Sequence, residues 1–111
     1  MEETNGGKID HQAMLAAASQ ACGLLKVLAN TDRLLLLCQL TQGEYCVSEL
    51  ASRLNITQPT LSQQLGVLRD EQLVTTRREG KQIFYRIASK EAMAVLEVLY
   101  LQFCKNGQPE I

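Results

Sequence analysis

Histidine is almost absent from this chain: among 111 residues the single imidazole is His11, near the N-terminus. A structural zinc site takes about four nitrogen or sulfur ligands, and a nucleophilic Ser or Cys takes an adjacent base. One histidine near a chain end supplies neither, and His11 reads as a solvated residue at a helix start. Paired carboxylates and a Gly-rich phosphate loop are missing too, so the sequence does not read as an enzyme. Tryptophan is lacking altogether and proline occurs only twice. No apolar run approaches the roughly 20 residues of a membrane span, which argues against a membrane partner. The opening Met1-Glu2-Glu3-Thr4-Asn5-Gly6-Gly7-Lys8 has no apolar stretch of the kind a secretory signal carries. Residues 1–10 therefore read as a flexible tail of a cytoplasmic protein, and residues 106–111 as a second one. The four cysteines then begin as thiols. Repeats and Pro- or Ser-rich linkers are also lacking, which leaves residues 11–105 as one domain.

Excess charge of either sign is lacking as well. The formal net charge is −1, which taken as a total argues against nucleic acid. Its distribution argues the other way. Residues 1–52 hold three basic and six acidic side chains, residues 53–86 hold six and three, and residues 87–111 hold two and three. The positive segment contains Arg53, Arg69, Arg77, Arg78, Lys81 and Arg86, as local phosphate contact requires. The alternative is a solvated face with chance asymmetry.

That same segment contains Ile56-Thr57-Gln58-Pro59-Thr60-Leu61-Ser62-Gln63-Gln64-Leu65-Gly66-Val67-Leu68. Its leucines at 61, 65 and 68 define one apolar face of a short helix, with Thr57 as N-cap and Pro59 in the first turn. The outward set Gln58, Thr60, Ser62, Gln63 and Gln64 offers amides and hydroxyls rather than charges. Glutamine can pair bidentately with adenine, and Ser or Thr can donate or accept at a base edge. The segment reads as a helix that contacts DNA.

Around it the pattern predicts four more helices and a hairpin. Residues 11–29 carry an apolar stripe at Leu15, Ala18, Cys22, Leu25 and Leu28, interrupted by the cap pair Asn30-Thr31. The run Leu34-Leu35-Leu36-Leu37-Cys38-Gln39-Leu40 is apolar all round, which predicts a helix buried in the middle of the domain. Cys46-Val47-Ser48-Glu49 opens a third helix through Leu54, with Glu49 placed for a capping box. Helices three and four make a helix-turn-helix. Residues 73–78 and 82–87 then read as two strands around the tip Glu79-Gly80-Lys81, a basic wing. A last helix, about 89–105, starts from Ser89 and turns Ala92 or Met93, Leu96, Leu99 or Tyr100, and Phe103 or Cys104 inward. The predicted fold is mainly α with a small β wing, a winged helix-turn-helix whose core is adequate but small enough to gain from a dimer.

From about Leu24 to Cys104 this arrangement resembles the ArsR/SmtB family of bacterial winged-helix repressors. The resemblance is carried by Leu24-Leu25-Lys26-Val27-Leu28-Ala29-Asn30-Thr31-Asp32-Arg33-Leu34, by Val47-Ser48-Glu49-Leu50-Ala51, by Gln58 to Leu65 and by Gly80 to Arg86. Within the family it looks most like the persulfide-responsive BigR and SqrR branch, with HlyU a near relative. Metal-sensing members commonly carry Cys-x-Cys-Asp-Leu at the third helix or a ligand set on the last one. Here the word is Cys46-Val47-Ser48-Glu49-Leu50 and the last helix has no histidine. The resemblance therefore implies no resident metal or cofactor.

What it does imply is a homodimer that binds double-stranded operator DNA with inverted-repeat symmetry, controlled by a reactive pair, Cys38 and Cys104, on neighbouring helices. Bridging of that pair by reactive sulfur species would lower operator affinity. Gln58, Thr60, Ser62, Gln63 and Gln64 are the candidate reading residues, and Arg77, Arg78 and Lys81 the candidate phosphate contacts of the wing. An apolar-stripe cysteine is otherwise a small hydrophobe, which is how Cys22 reads. Cys46 reads as an N-cap substitute whose thiol feels the helix dipole. Two alternatives stand beside this reading: an arsenite or soft-metal sensor using Cys22, Cys38 and Cys104, and a non-sensing DNA-binding anti-repressor.

Overall fold

A computed structural model describes residues 10–104. The tails expected at 1–10 and 106–111 thus lie outside the described residues, apart from Asp10. Helix α1 spans His11–Leu28, and Asp10 caps it by accepting the Ala13 N–H at 3.2 Å. Asn30 caps α2, Thr31–Leu40, by accepting the Arg33 N–H at 3.0 Å. A two-residue strand β1, Tyr45–Cys46, leads into α3, Val47–Leu54, and Glu49 Oε1 accepts the Cys46 N–H at 3.0 Å. Asn55 then takes a left-handed conformation with φ 56°, which ends α3 and turns the chain toward α4, Gln58–Asp70. Asparagine tolerates that region better than most side chains. The wing is β2, Val74–Glu79, and β3, Gln82–Ile87, after which Ser89 caps α5, Lys90–Phe103, through the Ala92 N–H at 3.0 Å.

Six leucines with essentially no exposure, Leu36, Leu37, Leu50, Leu61, Leu65 and Leu68, form the centre of the core. They come from α2, α3 and α4, so the helix-turn-helix is held on α2 as a unit. Each such burial is worth roughly 1.5–3 kcal/mol relative to an exposed side chain. Leu73, Val74, Ala92 and Leu96 extend the cluster to the wing base and to α5.

The structure corrects several expectations. The hairpin is the larger part of a three-stranded antiparallel sheet of order β1-β3-β2, because Tyr45 pairs with Tyr85 and Cys46 with Phe84. The turn is the two-residue Gly80-Lys81 rather than three, with Glu79 already paired to Gln82 and Gly80 at φ 64°. The stripe on α1 is largely outside the core: Leu15 is 57% and Leu25 55% exposed, and only Val27 and Leu28 are buried. Helix α2 is not buried all round either, since Leu35 and Cys38 are exposed. On α5, Ala92 and Leu96 face the core as expected, but Tyr100 and Phe103 are open to solvent.

Candidate DNA-reading surface and thiol groove

The buried leucines of α4 fix which residues it presents. With Leu61, Leu65 and Leu68 inward, helical geometry puts Pro59, Gln63 and Gly66 opposite, and Gln58 and Ser62 on the adjoining flank. Gln58, Ser62 and Gln63 are exposed, whereas Thr60 is half-buried and its hydroxyl accepts from Thr57 at 3.2 Å. Thr57 occupies the N-cap position without capping a backbone N–H.

Gln64 stands apart from the others. It lies on the flank facing α2, half-buried, where its Oε1 accepts a hydrogen bond from Arg33 Nη1 at 2.8 Å. Bidentate pairing with adenine uses both the amide oxygen and the amide nitrogen, and in Gln64 the oxygen is already engaged by Arg33. Arg33 was not singled out as a site residue by sequence reasoning. It belongs to the word Asn30-Thr31-Asp32-Arg33-Leu34 of the resemblance, but its side-chain partners lie on other helices and leave no local pattern.

The wing residues divide by the alternation of the strand. Arg77 and Phe84 are cross-strand partners on one face, with the guanidinium 4.8 Å from the ring centroid, and Arg78 pairs with Ile83 on the other. Arg77 also donates to Glu44 at 2.8 Å and to Glu79 at 2.6 Å. These hydrogen bonds, that to Glu79 first, raise its pKa further and occupy its donors with carboxylates. Among the described residues Arg78 donates only a long 3.3 Å bond to the Gly80 carbonyl, and Lys81 sits exposed in the turn. A cleft of about 310 Å³ lined by Ser48, Gln58, Lys81 and Tyr85 places the start of α4 beside the wing tip. Gln58 and Lys81 therefore share one surface, while Arg77 lies on the opposite side of the sheet from Arg78.

Cys38 and Cys104 are brought together. Both line a groove of about 680 Å³ between α2 and α5, walled by Leu34, Met93, Leu96, Leu99, Tyr100 and Phe103, with Glu97 the one charged residue among the described lining. Cys104 follows the last turn of α5, where its N–H donates to the Tyr100 carbonyl at 2.8 Å. Desolvation by the groove, and secondly the charge of Cys104, push the Cys38 thiol pKa up. Cys46 is buried with its Sγ 3.3 Å from Ser48 Oγ, and Cys22 is exposed on α1 rather than packed in the core. Among the described residues no three His, Cys, Asp or Glu side chains cluster as a metal site, so Cys22 does not join the pair within one protomer.

Residues 30–76 match the bacterial regulatory protein, arsR family. A biofilm growth-associated repressor from Agrobacterium fabrum is 54% identical over 98 residues, covering 88% of this chain and 84% of that one. The chain belongs to the arsR family. Its fold agrees with that of reduced HlyU from Vibrio cholerae at TM-score 0.80 and 43% identity, over 84% of this chain and 98% of that one. It also matches Mb0332 from Mycobacterium bovis, described as a homodimeric winged helix-turn-helix DNA-binding domain, at TM-score 0.70 and 33% identity over 88% and 89%. This arsR-family chain is accordingly a DNA-binding transcriptional regulator with a winged helix-turn-helix, and not an enzyme. None of its described helices is long and apolar enough to cross a membrane.

Proposed function

We propose that this chain is a homodimeric repressor whose affinity for operator DNA falls when Cys38 and Cys104 are bridged by reactive sulfur species. The observation that carries the reading is that the two thiols line one groove between α2 and α5. The relative named as a repressor and the one solved in a reduced form support it. The exposed apolar faces of α1 and α5 supply a surface for a second copy, as in the homodimeric relative. The proposed place of action is the cytoplasm, where a bacterial regulator of this family meets its operator.

In the reduced dimer two α4 helices enter successive major grooves about 34 Å apart, which calls for an inverted repeat. Gln58, Ser62 and Gln63 then reach base edges, Thr60 supports the start of the helix, and Arg78 and Lys81 hold phosphates. The switch begins when the Cys38 thiolate attacks the outer sulfur of an organic persulfide RSSH. That gives Cys38–S–SH and releases RS⁻, which takes up a proton. Attack of the Cys104 thiolate on the sulfur bonded to Cys38 yields the disulfide and expels hydrosulfide. Three sulfur transfers before closure, two to one cysteine and one to the other, yield a tetrasulfide with loss of one hydrogen sulfide. The bridge selects a dimer geometry whose reading helices no longer match the groove spacing, for which a coupling of about 1–3 kcal/mol is enough.

Mass spectrometry of intact and digested protein, reduced or treated with an organic persulfide, tests the reading. A Cys38–Cys104 crosslink heavier than a disulfide by two sulfur atoms, absent after peroxide, is the expected result. A persulfide-treated sample with no link between these two cysteines overturns it. In that case a titration with arsenite, read by thiolate absorption, decides whether the same thiols bind a soft metal.

A further inference from the structure

Helix α2 carries two chemistries on different sides. Arg33 precedes Cys38 by five positions, which turns the two side chains ~140° apart around the helix. Cys38 faces the groove with α5, and Arg33 faces α1 and α4.

The Arg33 guanidinium donates from three nitrogens. Nε reaches the Val27 carbonyl at 2.7 Å and Nη2 reaches the Lys26 carbonyl at a long 3.4 Å, both in the last turn of α1. Carbonyls there have no partner within their own helix, and a cation at a helix C-terminus is favourable. Nη1 points the other way, to Gln64 of α4 at 2.8 Å. Its own backbone N–H is held by Asn30, the residue that caps α2. One planar side chain thus ties the end of α1, the start of α2 and the reading helix together. Lysine could not replace it, because a single ammonium lacks the rigid fork that reaches acceptors on two helices.

We infer that Arg33 is a positioning residue for operator binding, setting the angle of α4 against α1 through Gln64 and carrying movements of α2 to the reading helix. The leucines shared by α2 and α4 hold the two helices in contact but leave sliding and rotation possible. The directional bond fixes that remaining freedom. In the dimer proposed above the exposed apolar face of α1 meets the second copy, so its angle to α4 sets the separation of the two reading helices. The redox arm of this inference rests on the thiol-bridge reading above. The spacing arm does not.

The test uses full-length Arg33→Lys, Gln64→Met and the double variant, checked for folding by thermal melting. The probe is a duplex selected from random sequences by the reduced wild-type protein, together with a duplex holding one half-site and versions with the half-site spacing changed by one base pair. Half-site affinity should stay within about twofold, since the exposed reading residues are untouched. Preference for the native spacing should fall at least about fivefold, and the ratio of bridged to reduced Kd at least about threefold. The double variant should be no worse than the worse single one, as for two members of one interaction. Gln64→Glu keeps an acceptor for the guanidinium and should retain the spacing preference, which keeps the test valid should Gln64→Met fail to fold. Equal losses on half-site and full-site duplexes, or an unchanged spacing preference, overturn the inference. A wild-type protein whose affinity ignores bridging sinks the thiol reading instead, and the spacing measurements still decide the role of Arg33.

Discussion

Cys38 and Cys104 share the α2–α5 groove, and Cys38 is held toward its protonated form first by the apolar walls and then by the charge of Cys104. A thiol so placed is not primed to react with every oxidant, because the nucleophile is the thiolate. Alkylation of Cys38 by iodoacetamide should therefore rise with pH and reach half its plateau above the ordinary cysteine value. Cys104→Ser should move that midpoint down only partly, since desolvation is the larger cause. The same shift has a stability consequence. Between the unfolded and the raised folded pKa the native state binds more protons than the unfolded one, so stability falls as pH rises through that window. Melting temperatures measured on the alkaline side should decline less for Cys38→Ser than for the wild type.

Cys38→Ser should also leave reduced-state operator binding intact while abolishing the response to persulfide. The residue is exposed and contributes nothing to the six-leucine centre. A gel shift with and without an organic persulfide checks this. A retained response would point to Cys22, the other exposed thiol, because Cys46 is buried beside Ser48.

What the sequence disclosed and what it hid divide by distance along the chain. The leucine spacing of α4, the cap residues Asn30 and Ser89 and the alternation of the wing are local signals, and each element appears close to where they put it. Contacts between remote residues left no such mark. The Gln64–Arg33 bond spans 31 positions and the Arg77–Glu44 bond 33, so two polar residues that looked free for DNA are engaged elsewhere. Strand β1, two residues long, is too short for any period. The stripe of α1 announced a helix that buries an apolar face, but periodicity does not say whether the core or another molecule covers it.

Arg77 and Arg78 adjoin in sequence yet should differ in their effect on DNA binding. Arg78→Ala should weaken binding to all sequences and lower the slope of log K against log salt by about one, as for the loss of one phosphate contact. Arg77→Ala should change that slope by less, because Glu44 and Glu79 already neutralise the guanidinium. Equal slopes for the two variants would show that Arg77 leaves its carboxylates when DNA binds. Fluorescence anisotropy between low and physiological salt supplies the comparison.

Gln63 is exposed opposite the buried leucines and makes no side-chain bond among the described contacts, so it is free to read a base. Gln63→Ala should reduce discrimination at one base pair of each half-site by about 1–3 kcal/mol while leaving the salt dependence unchanged. Leu65→Ala, two positions further on and in the fully buried set on the opposite face, should act through the fold instead, at a cost of about 2–5 kcal/mol. Competition binding against single-base variants of the selected operator, together with chemical denaturation, separates the two effects.

The exposed stripe of α1 yields the last expectation. Leu15 and Leu25 contribute little to the protomer core, so replacing either with Asp should leave the melting temperature of an isolated protomer nearly unchanged. If α1 is covered by a second copy, the same change puts a charge into an apolar contact without a partner, which is strongly unfavourable. Sedimentation velocity should then show the variant as a monomer at concentrations where the wild type is a dimer. Operator affinity should fall by about 10²–10⁴, because the second half-site no longer benefits from the effective concentration that linkage provides. Binding to a duplex with one half-site should change little. A variant that remains dimeric would place the interface elsewhere, and one that is monomeric yet binds the full operator unchanged would mean that each protomer reads DNA alone.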